Sequence, residues 1–162
     1  IRLTDTATKR LGSCTSSVVS GQAKAGTGLA GQDIGSVTAA KFRGCTGPRK
    51  SPFTVTARAL PWQISFTSYN PKTGVVSGTV SHLEITLTGV CTAMVTGANG
   101  TGAGGVVAAS YTDSTGTLKF LTAGGNLHFW HVKGCGTLIN DGDPATVSAA
   151  YTITPRQVIT SP

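Results

Sequence analysis

The side chains that could do chemistry are few in this chain and widely spaced. There are three histidines and six carboxylates, of which Glu84 is the only glutamate. His128 and His131 stand three apart, a spacing that would bring two imidazoles to one metal on a helix but sends them to opposite faces of a strand. Asp141 and Asp143, within Asn140-Asp141-Gly142-Asp143-Pro144, offer oxygens of the kind calcium takes, yet Asn, Asp, Gly and Pro are each turn formers and a turn is expected. Acid–base or nucleophilic catalysis needs paired carboxylates, or a histidine beside a nucleophile, and no such spacing occurs. The pattern G-x-G-x-x-G occurs twice, at Gly26, Gly28 and Gly31 and at Gly100, Gly102 and Gly105. A dinucleotide site needs that loop to open a helix, and here strand-like sequence follows. No catalytic residue, metal or cofactor is expected.

The four cysteines point to disulfide rather than metal chemistry, because no two of them sit close enough to form a zinc knuckle. Three pairings are open, and the sequential one, Cys14–Cys45 with Cys91–Cys135, is expected. Each bridge would contribute about 4 kcal/mol in the chain-entropy model. Arg43-Gly44-Cys45 and Lys133-Gly134-Cys135 resemble one another, a faint sign of two similar halves. Among the aromatics, Phe129 and Trp130 are consecutive on a strand and face opposite ways, so one of them is free to leave the core unless both faces are covered. With Tyr69 and Tyr111 they form the candidate binding or interface set, since exposed aromatics mark surfaces for sugars or protein partners.

The elements that must position these residues are strands. In Phe53, Val55, Ala57 and Ala59 apolar side chains fall on every second position, and after Leu60-Pro61 the alternation resumes in Trp62, Ile64 and Phe66. Proline lacks an amide donor and suits the corner between the two runs. Further strands are expected at 14–20, 34–42, 75–88, 91–95, 106–112, around Leu118 and Phe120, at 127–132 and at 146–154. In the 75–88 run Val76 and Val80 are even while Leu83, Ile85 and Leu87 are odd. This parity flip predicts a bulge or bend near Ser81-His82, where the strand changes the face it buries. Asn99-Gly100-Thr101 has the form of an N-glycosylation sequon and is read as turn chemistry.

Composition agrees: 22 Gly, 26 Thr and 12% charged residues favour strand and turn, and no run has helical periodicity. The 162 residues make one all-β domain, an antiparallel β-sandwich or barrel-like sandwich with two disulfides. Nine basic groups and two acids lie in residues 1–58, whereas residues 59–162 hold four of each sign, so the whole net charge of +7 is in the first part. Such a half can face an anionic cell wall, or serve only as solvated surface. No aromatics interleave with the cations, so nucleic acid is not an expected partner. A chain beginning at Ile1 suggests a removed leader, and the apolar runs fall far short of a membrane span. With four cysteines, this predicts a secreted protein, extracellular or at the cell surface.

Leu60-Pro61-Trp62, YNPKTGVVSGTV at 69–80, YTDSTGTL at 111–118 and GCGTLINDGDPATVSAAYTITP at 134–155 resemble a family of secreted four-cysteine all-β proteins of Streptomyces-type actinobacteria. The resemblance implies export and disulfides and brings no activity or site residues. The first functional expectation is a structural or assembly protein of the cell exterior, a homo-oligomer or filament built by strand pairing. Arg2 to Ala7 or Thr152 to Thr160 would complete a neighbour's sheet, and deleting either would leave a folded monomer. The alternative is an extracellular binding module for glycan, lipid or a small ligand, with cell-wall contact. Peptide mapping without reductant should recover Cys14–Cys45 and Cys91–Cys135; crossed pairs or free thiols would contradict the reading.

Overall fold

The structure, a computed structural model, describes residues 1–26, 28–100 and 104–160. Gly102 of the second glycine motif and Thr101 of the sequon lie outside the described residues. Eleven strands form: β1 (Arg2–Asp5), β2 (Leu11–Ala23), β3 (Gly35–Thr46), β4 (Phe53–Arg58), β5 (Trp62–Asn70), β6 (Val75–Gly89), β7 (Thr92–Gly97), β8 (Gly105–Thr112), β9 (Thr117–Phe120), β10 (Leu127–Lys133) and β11 (Ala145–Thr152). Every pairing is antiparallel, and the sheet returns on itself through β6–β8 on one side and β1–β11 on the other. The all-β reading holds. The sheet closes as an eight-position barrel, however, where two facing sheets were among the expectations.

The eleven strands fit eight positions because three positions each hold two strands end to end. β4 and β5 lie in succession along one edge of β6, and β7 and β8 along the other. β9 and β10 continue the pattern against β8 and β7. The fifteen-residue β6 is the long stave against which these halves align. The break between β4 and β5 is the predicted Leu60-Pro61 corner, a cis peptide with Ala59 at φ 52. Trp62 is buried, and its indole N–H reaches back across the corner to donate to the Arg58 carbonyl at 2.8 Å.

The parity flip in β6 is a bulge. His82 takes φ 61, and the register against β8 shifts between Val80 and Leu83. The consequence differs from the expectation: the strand does not change faces. The extra residue restores parity, so Val76, Val80, Leu83, Ile85 and Leu87 are all buried in one interior. Just beyond, β8 begins at Gly105, whose missing Cβ leaves room for the Leu83 carbonyl. Gly44 and Gly134, the glycines before Cys45 and Cys135, both take positive φ, 59 and 74. The resemblance of those two tripeptides is therefore one of local backbone.

One end of the barrel is closed off. Cys91–Cys135 ties the β6–β7 turn to the end of β10, and the other bridge is Cys14–Cys45 between β2 and β3. Asp5 is buried there, its Oδ1 accepting the Ala7 and Thr8 amides at 2.9 Å each. No helix among the described residues is long and apolar enough to cross a membrane.

The two terminal segments have partners in their own chain. Leu3 lies between Gly12 of β2 and Val147 of β11, so Arg2–Asp5 is an internal stave and not an arm for a neighbour. Deleting residues 1–5 should therefore abolish cooperative unfolding, where the assembly expectation gives a folded monomer. Leu3→Ala should cost about 2–5 kcal/mol in a denaturant melt. A cooperative melt from the deletion at unchanged stability would contradict this closure.

Candidate functional site at the barrel mouth

β1 is far shorter than its neighbours. The Cys14 amide donates to the Ile1 carbonyl at 3.1 Å, and past that point β2 runs on to Ala23 with β3 alone beside it. β11 likewise continues through Ala149–Thr152 paired only with β9. The wall is thus open between β2 and β11 beyond Ile1, bridged by the Ser17 hydroxyl donating to Tyr151 Oη at 3.2 Å.

A cavity of about 640 Å³ opens at this mouth. Val37, Phe66, Tyr111 and Leu118, all buried, line it from the core, while Val19, Ile34 and Ile64 contribute partly buried apolar surface. Apart from Ile34, which lies just ahead of β3, these positions follow from strand alternation, each facing inward where its strand approaches the rim. Among the described residues that line the cavity Lys24 is the one charged side chain, and none of them is a histidine, aspartate or glutamate. The barrel's other notable cavity, at the closed end beside Leu3, Asp5 and Phe129, is only about 70 Å³.

The C-terminal segment crosses the mouth as a strap. The Ile153 amide donates to the Gly116 carbonyl at 2.8 Å, and Arg156 Nη1 donates to the Ser114 carbonyl at 3.1 Å. Tyr111 holds the middle: its hydroxyl donates to the Gln157 carbonyl at 2.8 Å and accepts the Gln157 amide at 2.9 Å. The Ile159 amide ends the run on Asp113 Oδ1 at 3.1 Å. Thr152 to Thr160, expected as a second arm for a neighbour, thus packs on its own barrel. Burial pushes the Tyr111 phenol above its ordinary value, against the lowering effect of the Gln157 bond; Asp113 adds to the rise and Arg156 opposes it.

The residues singled out in the sequence scatter. Only Tyr111 lines the mouth; Phe129 is core, at the closed end. Phe129 and Trp130 do face opposite ways, but Trp130 is half-buried, with its Nε1–H on the Gly97 carbonyl at 2.9 Å and its ring over Gly100. Tyr69 is half-buried and away from the cavity. His128 points Nδ1 at the Asn126 carbonyl. Asp141 and Asp143 fasten a turn: Asp141 accepts the Val132 amide, and Asp143 accepts the Asn140 amide and side chain. Partial burial pushes the Asp143 carboxyl up, but those Asn140 bonds and the Asp5 side chain hold it below its ordinary value.

Comparison with protein-family models, with curated proteins and with solved structures returns no match for this chain.

Tyr111→Phe removes both strap bonds, so amide exchange at Gln157 at neutral pH should rise about tenfold, in keeping with roughly 1–3 kcal/mol for a buried group left unpaired. The pH dependence has a definite sign. A phenol ionises near 10 in the unfolded chain and higher in this fold, where burial also raises Tyr151. Above pH 10 the unfolded chain gives up protons that the folded chain keeps, so stability falls as pH rises. The thermal midpoint should drop above pH 10, less steeply in Tyr111→Phe, which retains only the Tyr151 contribution.

Proposed function

We propose that this is a secreted, non-enzymatic binding protein that takes a small amphipathic ligand, with an apolar body and an anionic head, into the barrel mouth. The observation that carries this reading is the cavity of about 640 Å³, within the range of roughly 300–1,000 Å³ typical of small-ligand sites. Eight-position barrels are wide enough either to fill with side chains or to hold one small ligand. Here large side chains fill the closed end and the core, and the mouth is left open. Val19, Ile34, Ile64 and Leu118 would take the apolar body, and Lys24 at the rim would meet the head. Two disulfides and the resemblance to exported actinobacterial proteins support a place outside the cell.

A structural subunit that assembles by strand pairing is the second reading, and one observation favours it. β2 from Thr15 to Ala23 pairs on one side only, and an open edge is a template for strand addition. That edge borders the same gap, so ligand and strand would compete for one place.

Decanoate is a suitable probe for calorimetry. The expected result is one molecule bound per chain, no binding to Ile64→Glu, and affinity reduced about two- to fivefold in Lys24→Ala, the size expected of an exposed ion pair. Sedimentation should give a monomer at all concentrations. No binding of decanoate together with concentration-dependent growth would instead favour the assembling subunit.

A further inference from the structure

The unequal charge of the chain has a place in the fold, away from the mouth. Alternation turns Lys41 and Arg43 of β3, and Thr54, Thr56 and Arg58 of β4, to the outside, and all five are exposed. Lys41 pairs directly with Thr56, which pairs with Thr86 of β6, while Thr54 pairs with Thr88. On β2 the partners of Lys41 and Arg43 are Val18 and Ser16, both exposed. The outer face of these four adjacent strands is therefore largely hydroxyls, with Val18 exposed among them and a line of cations through it. Arg43, Lys41 and Arg58 follow one another along the strand direction in steps of about 7–8 Å.

Glu84, opposite Arg58, is the only acid in the sequences of β2, β3, β4 and β6. The other five acidic side chains are elsewhere: Asp5 is buried, Asp33 accepts from the Ser65 hydroxyl, Asp113 holds the strap, and Asp141 and Asp143 serve the turn at the closed end. Glu84 offsets Arg58, whereas the cross-strand partners of Lys41 and Arg43 are uncharged, and a chain of opposite charge would complement these two cations.

We propose that this outer face binds a linear acidic polysaccharide, its carboxylates on Arg43 and Lys41 and its hydroxyls on the threonine rows of β4 and β6. Threonine hydroxyls donate and accept, as sugar hydroxyls do. A nucleic acid strand would instead seek aromatic platforms among the cations, and none stands on this face between Arg43 and Lys41. The ring of Trp130, on β10, is already applied to the backbone at Gly100. The site is independent of the mouth and of any ligand there.

The test is titration of a decamer of galacturonic acid against the folded full chain in moderate salt, with dextran of similar length and oligothymidylate in parallel. The double variant Lys41→Glu/Arg43→Glu should bind the galacturonate at least tenfold more weakly than the parent. Lys72→Glu/Lys119→Glu carries the same charge change on exposed residues off this face and should stay within twofold. Both pairs are at the surface, so their melts should match the parent's. Equal losses in the two double variants would reduce the effect to net charge and overturn the proposal. So would absence of galacturonate binding, equal binding of dextran, or tighter binding of oligothymidylate.

Discussion

The pairing of the first strand with the last is the interaction on which the rest of the molecule depends. Through Leu3↔Val147 and its neighbours the sheet becomes a closed wall, and a closed wall has no edge to leave its amides and carbonyls unpaired. The same ladder is short, only four residues on the β1 side. Where it stops the wall is incomplete, and the cavity begins there. Closure and opening thus come from one strand, the first by its presence and the second by its length.

The bridge Cys14–Cys45 sits at the level where that strand ends, since Cys14 is the residue bonded to Ile1. It holds β2 to β3 at the root of the part that projects past the wall. The projecting hairpin is stiffened at its base, and its far loop is tied back to β5 through Phe66 and Ser65. The mouth consequently has one side fixed by a covalent bond and another, the strap, fixed by hydrogen bonds to Tyr111 and the β8–β9 turn. The two sides differ in how readily they yield.

Most of the strands were legible because alternation is a local signal. The break at Leu60-Pro61 and the bulge at His82 were both visible, one from proline's missing donor and the other from a change in parity. What the bulge does was not visible, because parity alone cannot separate a strand that changes faces from one that gains a residue and keeps its face. Closure could not be read either: Leu3 and Val147 are ordinary strand residues, and nothing near either marks the other as its partner. The site suffered most. Ile64 and Leu118 are plain inward residues, and Gln157 matters through its backbone, which has no sequence signature. Phe129 and Trp130 attracted notice by being aromatic, yet one completes the core and the other covers a glycine loop.

The near-terminal position of the closing ladder also orders events in time. The β1–β11 ladder joins residues farther apart in sequence than any other ladder of the barrel, so it carries the greatest loop-closure entropy. The hairpins β2–β3 and β5–β6, by contrast, join residues close in sequence and can form early. For a chain emerging from its N-terminus, β1 is made first and has only half of its partners until β11 arrives. The strand that defines the finished wall is thus a bystander for most of the chain's own synthesis, and nearly all the rest must be in place before it acquires its second neighbour.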